Sequence, residues 1–363
     1  FEKYGSDGWL PGEHCRILVT TRDPNVLPKS QLIVDQLTEE EALELLQQAV
    51  PDARLEDPDV QQVLADTHRI AVFVSAVVAT MQADRSPDLP KYAAWLRNLP
   101  TAKLPAVEGY PHRAQDILDH LRASLHPAEL RALDLAARLP ESGFPRAWLE
   151  DLLAQDQGTD LEWGTNALGD PRPAAFYVAS LVDRRLLAPV TSTLDPDALA
   201  LHRVHHRRSL EAVSGEVADA LLQRVWAYKG PLWESALQAM TDRDFARATV
   251  LWDGIVALSE GVRDLLEPQG RWDPALRNNL AAAYTNRGVA LLGVPDVKAA
   301  VDAYGAAIAI MEALRDELEP QGRWDPKLRN DLAGAYMNRG NALAHVPDLK
   351  AAVGDYGRAI GIM

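Results

Sequence analysis

Cysteine is almost missing from this chain of 363 residues, Cys15 being the only one. A single thiol allows no internal disulfide, and a reducing, cytoplasmic compartment is the expectation. Long apolar runs are missing too. The most apolar window, "IAVFVSAVVATM" at 70–81, has 12 residues, whereas a membrane-spanning helix takes about 20, so no membrane partner is expected. Positive charge is scarce: 37 lysines and arginines face 52 aspartates and glutamates, for a formal net charge of −15. Nucleic-acid binding runs on phosphate neutralisation, which suits such an acidic chain poorly unless its basic residues cluster. The local cluster is "HRVHHRRSL" at 202–210. There is no G-x-x-x-x-G-K-[ST] loop and no acidic pair after an apolar strand, so the groups that hold nucleotide phosphates and Mg²⁺ are not among these residues. No signal-peptide pattern opens the chain.

What is present is a globular composition, 47% apolar and 25% charged, with a length that suggests two or three domains. The clearest feature is a repeat. "LEPQGRWDPALRNNLAAAYTNRGVALLGVPDVKAAVDAYGAAIAIM" begins at Leu266, and "LEPQGRWDPKLRNDLAGAYMNRGNALAHVPDLKAAVGDYGRAIGIM" begins at Leu318. The offset of 52 pairs Trp272 with Trp324, Tyr284 with Tyr336, Gly288 with Gly340 and Tyr304 with Tyr356. A fainter copy precedes them, with Asp244, Trp252, Arg263 and Asp264 standing 52 residues before Asp296, Tyr304, Arg315 and Asp316. Such a period predicts a stacked array.

Each unit reads as two helices. Asp273 and Asp325 can cap the first helix, with Pro274 and Pro326 at its first position. "VPD" at 294–296 and 346–348 divides the unit. Gly288, Ala300, Tyr304 and Ala307 are spaced as in the tetratricopeptide repeat, which this region resembles, although that family's period is about 34 residues. The extra 18 residues equal about five turns at 3.6 residues per turn, which keeps lengthened helices facing as before. "PQGRW" is the linking turn, with Trp272 and Trp324 as plugs against the neighbouring unit.

Upstream, Thr38 and Glu41 of "TEEEALELLQQAV" have capping-box spacing. Ala42, Leu45, Leu46 and Ala49 then follow at i, i+3, i+4, i+7, an amphipathic helix. Residues 59–81 are expected to be helical without a break, since no turn signal splits them. Helices are expected at 113–125, 128–139, 146–154 and 172–184. Short alternating runs, Leu186–Val190 and Leu199–His202, flank a polar turn and read as a β-hairpin. Helices leading into such a hairpin suggest a winged helix.

Taken in order, these pieces resemble the second half of an NB-ARC-type signalling ATPase of the STAND class. "RILVTTR" at 16–22 resembles that family's sensor strand, whose terminal Arg reaches the γ-phosphate of ATP. "VDQLTEEEALELL" resembles the opening of its first helical domain, and "LVDRRLLAPV…LALHRV" the end of its winged-helix domain. There a Met-His-Asp motif places His on the ADP β-phosphate; here it reads Leu201-His202-Arg203. The resemblance covers roughly residues 10–210. It implies a mainly α chain: the end of an α/β nucleotide-binding domain (1–30), a helical domain (31–110), a winged-helix domain (111–213) and a tetratricopeptide-like α-solenoid (214–363). Two departures bear on nucleotide clamping: Ala71 in "RIAVFV" stands where the family has an adenine-contacting Pro, and Arg203 replaces the motif Asp.

The resemblance implies that Thr20, Thr21, Arg22, Ala71 and His202 face nucleotide. ATP or ADP with Mg²⁺ would be cofactors of a longer parent, and activation would bring self-association. This chain alone is expected not to hydrolyse ATP. It is expected to be a fragment, since the opening strand follows Phe1 closely and Met363 falls inside a repeat. A guanidinium fixed at a strand end suits phosphate oxygens through its planar fork of donors. Asn286, Asn338 and Asn341 are the candidate groove residues for a protein or peptide ligand, since amides can bond a partner's backbone. Arg287 and Arg339 in the adjoining "NRG" are read instead as pairing carboxylates of neighbouring helices. His202, His205 and His206 lack a nearby Cys or carboxylate, so no metal is expected. Ser124 and His126 form no readable catalytic set. Two rival readings stay open: a nucleotide-independent repeat scaffold binding a peptide, and a winged-helix transcription regulator.

Overall fold

A computed structural model describes residues 37–67, 69, 71–83, 88–98, 114–192, 195–346 and 348–362. The chain is mainly helical, as expected, with a small sheet near its middle.

The first four helices are α1 (Glu39–Leu46), α2 (Pro58–Asp66), α3 (Ala71–Ala83) and α4 (Leu89–Asn98). The anticipated capping box opens α1. Thr38 Oγ1 accepts from the Glu41 N–H at 3.2 Å, and Glu41 Oε2 accepts from the Thr38 N–H at 2.8 Å. Two of the helix's first-turn donors are satisfied in this way. The unbroken helix expected over 59–81 is in fact α2 and α3. Thr67 Oγ1 donates to the Val63 carbonyl at 2.7 Å, and Arg69 turns to φ 53° with its N–H on the Leu64 carbonyl. A left-handed residue closing a helix end is the usual work of Gly or Asn. An Arg in that role leaves no compositional mark, which is why the break was not foreseen.

The next block holds α5 (Ala114–Ser124), α6 (Pro127–Ala136), β1 (Phe144–Pro145), α7 (Arg146–Ala154), α8 (Ala174–Asp183), β2 (Leu187–Pro189), β3 (Ala198–Leu201) and α9 (Arg203–Ala212). The expected hairpin is β2–β3, antiparallel, with Ala188 opposite Ala200. The two-residue β1, which no alternation announces, pairs on the other side of β3, giving the order β1-β3-β2.

Three antiparallel helical pairs follow: α10 (Gly215–Thr241) with α11 (Phe245–Leu266), α12 (Pro274–Gly293) with α13 (Val297–Leu318), and α14 (Pro326–Ala344) with α15 (Leu349–Ile362). Asp273 and Asp325 cap α12 and α14, each accepting from a backbone N–H at 2.9 Å, Leu276 and Leu328 respectively. "EPQ" forms a 3₁₀ turn closed by a left-handed glycine, Gly270 or Gly322, at φ 66°. Trp272 and Trp324 are buried behind those turns. Within the second and third pairs the helices cross at a glycine. A Cβ at Gly288 would lie 2.6 Å from the Tyr304 ring, and one at Gly340 2.8 Å from the Tyr356 ring. Tyr284 Oη donates to Glu260 of the preceding pair at 2.8 Å, and Tyr336 repeats the bond to Glu312 at 2.7 Å.

One buried apolar cluster runs from Ala42 in α1 to Ala290 in α12. The four opening helices, the small-sheet block and the first helical pair therefore share a core. The join to the array is tight. A Cβ at Gly254 of α11 would lie 2.9 Å from Trp148, and one at Gly261 3.3 Å from Pro140. Arg224 of α10 pairs with Asp156 at 2.8 Å and also donates to the Leu152 carbonyl, while Tyr228 Oη donates to Asp151 at 2.7 Å. Among the described residues no helix is long and apolar enough to cross a membrane.

Candidate functional site

Thr20, Thr21 and Arg22 lie outside the described residues. Ala71 is the first residue of α3 and is exposed. His202 occupies the single step between β3 and α9, where the sheet ends and the helix begins. Its residue surface is open to solvent, yet enough of the ring is covered for burial to lower its pKa. At neutral pH it is therefore a neutral imidazole, able to donate one hydrogen bond. The His205 ring lies 6.3 Å away, edge-on.

A charged layer lies beside His205 that the sequence did not advertise. His205 is buried, and its pKa is pushed down to about 3 by that burial first, then by His202 and Arg122. Arg122 of α5 donates to Ser209 Oγ of α9 at 2.6 Å and to Asp134 of α6 at 2.8 Å. Arg138 donates to the Asp134 carbonyl at 2.7 Å. Asp134 thus faces Arg122, Arg138 and Arg131, yet burial still raises its pKa. Burial likewise lowers the Arg138 pKa. Arg131 also reaches Asp156, at 3.8 Å, and Asp156 pairs with Arg224, so four guanidiniums stand among two carboxylates beneath the helix that His202 opens. Arg122, Asp134 and His205 come from three separate helices, and no local motif joins them.

The basic run around that helix is largely spoken for. Arg207 pairs with Glu211 at 3.0 Å, and Arg208 with Asp119 at 2.5 Å. Phosphate contacts to nucleic acid would have to break these pairs, which counts against the DNA-binding reading. His126 is structural: its Nδ1 accepts from the Ala128 N–H at 3.2 Å at the start of α6, and its ring stacks on Tyr177 at 5.2 Å. A shallow cleft, open to solvent, lies between the opening helices and the small-sheet block. It is lined by Leu45, Gln48 and Gln82 on one side and Arg184 and Arg185 on the other.

In the array Asn286 and Asn338 are half-buried, and neither amide is hydrogen-bonded among the described residues. Asn341 differs. Its Oδ1 accepts from Tyr356 Oη at 2.8 Å, so it also braces its own helical pair. The neighbouring arginines are structural, as expected. Arg287 pairs with Asp253 of the preceding pair, whereas Arg339 pairs with Asp355 of its own at 2.6 and 2.8 Å. The switch of partner follows from two changes between repeats: the position of Asp253 is Gly305 in the second pair, and the position of Ala303 is Asp355 in the third.

Lys229 of α10 was also missed by reading the sequence. It is buried where the later pairs carry Ala281 and Ala333. Its ammonium lies 3.6 Å from the centre of the Trp226 ring and 5.6 Å from that of Trp233. No carboxylate pairs with it among the described residues, and burial lowers its pKa to about 8. Two indole faces supply the compensating attraction.

Comparison with protein-family models, curated proteins and solved structures found no match for this chain.

Proposed function

We propose that this chain is the switching and sensing portion of a nucleotide-controlled signalling ATPase of the STAND class. The observation that supports it most is the placement of His202. It stands at the end of the small sheet, above a positively charged layer, in a block that shares one core with helices on one side and a repeating array on the other. A winged-helix reading of that block, and a tetratricopeptide-like solenoid reading of the three helical pairs, belong to the same proposal. His202 would contact the diphosphate of ADP and hold the block closed. Arg22 would contact the γ-phosphate and favour the open, self-associating state. Such a switch needs unequal contacts in its two states, because a ligand shifts an equilibrium only through differential affinity. The array would receive the signal as a bound protein or peptide.

The reading requires a phosphate loop and an acidic pair supplied from outside these residues, since the chain has neither. It predicts no Mg²⁺-dependent ATP turnover by this chain alone. With a phosphate-loop domain present, Arg22→Ala should weaken ATP binding and His202→Ala should weaken ADP binding, each with altered assembly. Unchanged nucleotide affinity and unchanged assembly in both variants would refute the switch.

A second reading, the nucleotide-independent peptide scaffold, is favoured by the unengaged amides of Asn286 and Asn338, 52 residues apart. It predicts peptide binding that both Asn→Ala changes weaken and that ADP or ATP leaves untouched.

A further inference from the structure

The first helical pair carries on α10 a group of side chains that the later pairs lack. Trp226, Lys229 and Trp233 stand where the second pair has Asn278, Ala281 and Thr285, and the third has Asn330, Ala333 and Met337. The same helical hairpin therefore forms without them. A buried lysine among apolar neighbours also costs desolvation that the two alanines avoid. Spacings of three and four residues put all three side chains on one face of α10.

Between the two indoles the surface of the helix is bare. Gly230 lies four residues after Trp226 and three before Trp233, and a Cβ built on it would meet nothing within 4 Å. Both indoles are half-buried, and each is braced by a second, buried one. Trp226 meets Trp272 edge-on at 6.5 Å, and Trp233 meets Trp252 edge-on at 4.7 Å. The result is a slot with two fixed aromatic walls. The Lys229 ammonium reaches both walls, 3.6 Å from the ring centre of Trp226 and 5.6 Å from that of Trp233. It nonetheless keeps a contact with solvent. Among the described residues, the enclosed side-chain atoms without a hydrogen bond are Asp156 Oδ2 and Arg224 Nε.

We propose that Lys229 is an imine-forming lysine, whose amine condenses with a planar aromatic aldehyde lying in the slot between Trp226 and Trp233. The amine lone pair attacks the carbonyl carbon. Both amine protons then leave with the carbonyl oxygen as water, and a C=N bond replaces the C=O bond without oxidant or reductant. An amine desolvated among apolar groups is the kind that enters this chemistry. Burial lowers the Lys229 pKa to about 8, which leaves about a tenth of it as free amine at pH 7. A lysine at the ordinary 10.5 has about one part in three thousand. The imine is neutral and flat, so it removes a buried charge and gives the indole faces a ring to stack on. Nothing in this inference depends on nucleotide.

The probes are benzaldehyde and cyclohexanecarbaldehyde, a flat and a saturated ring of like size, each incubated at neutral pH with the folded, full chain. Borohydride then fixes any imine as a secondary amine, and mass-spectrometric peptide mapping reads the sites. With benzaldehyde, labelling at Lys229 is expected to exceed that at the exposed Lys298, Lys327 and Lys350 by at least about tenfold. With cyclohexanecarbaldehyde the preference for Lys229 over those three should shrink several-fold. Lys229→Arg keeps a cation beside the indoles but should lose the label. Trp233→Leu, checked by circular dichroism for native helix content, should lower the preference while leaving the lysine in place. Labelling of Lys229 no greater than that of the three exposed lysines would overturn the proposal, and this comparison needs no variant. An equal preference with the two aldehydes would overturn it as well, since the aromatic walls would then play no part.

Discussion

Replacing Gly288 by Ala adds one methyl group where the helices of a pair cross. Tyr304, on the partner helix, is 1% exposed. A Cβ at Gly288 would lie 2.6 Å from its Cε1 and 2.7 Å from its Cζ. Non-bonded carbons rest at about 3.5–4.0 Å, so ring or helix must shift by about 1 Å. Overpacking of this kind costs about 1–3 kcal/mol, while Ala in place of Gly inside a helix returns about 1 kcal/mol. The steric term wins, with a net loss of about 1 kcal/mol and at most about 2. Gly334 of α14 is the internal control, because a Cβ there meets nothing within 4 Å. Gly334→Ala should therefore stabilise by about 0.5–1 kcal/mol. Urea unfolding followed by circular dichroism compares the two variants with the parent chain. Opposite signs are expected, and Tyr304→Leu should relieve most of the Gly288→Ala loss. If Gly288→Ala stabilises as Gly334→Ala does, the close Gly–Tyr crossing is not what holds the pair together.

Other expectations follow from buried charge and from caps. His205 stays neutral in the fold but protonates in the unfolded chain, so the unfolded state binds more protons between about pH 6.5 and 3. Stability should fall as the pH drops through that window, with a slope of up to about 1.4 kcal/mol per pH unit from this residue. His205→Leu should flatten the acid limb of a melting-temperature profile, and an unchanged limb would refute the assignment. Asp355→Ala strips the partner from Arg339, whose side chain is 21% exposed, and should cost about 3 kcal/mol, the low end for a broken buried pair. Joint replacement of Asp355 and Arg339 by Leu should cost less than Asp355→Ala alone in the same unfolding assay. Asp273→Ala and Asp325→Ala should each cost about 1 kcal/mol through the lost cap. A loss in one only would show that the two turns are not energetically equivalent.

Local chemistry alone determined a good deal of this molecule. The capping box at Thr38 and Glu41, the Asp-Pro starts of α12 and α14, and the glycine–tyrosine crossings could all be read directly. Each depends on residues a few positions apart or on an exact repeat, and short-range sterics and capping bonds act the same way in any surroundings. The β2–β3 hairpin was legible for the same reason. Tertiary structure decided the rest. The break between α2 and α3 rests on an Arg in a left-handed conformation, which composition does not signal. Strand β1 is two residues long and exists only because β3 offers it an edge. The position of Asn341 in the repeat does not show that Tyr356, on the neighbouring helix, donates to its Oδ1; only the packing does. The charged layer of Arg122, Asp134 and Arg138, with the neutral His205 beside it, joins residues up to 83 positions apart, and the shifts of Asp134, Arg138 and His205 arise first from burial, which has no local sequence signature. Lys229 shows the same division. Its repeat position predicts a small buried residue, and only the packing of Trp226 and Trp233 around it explains how a cation can stand where Ala281 and Ala333 stand in the other pairs.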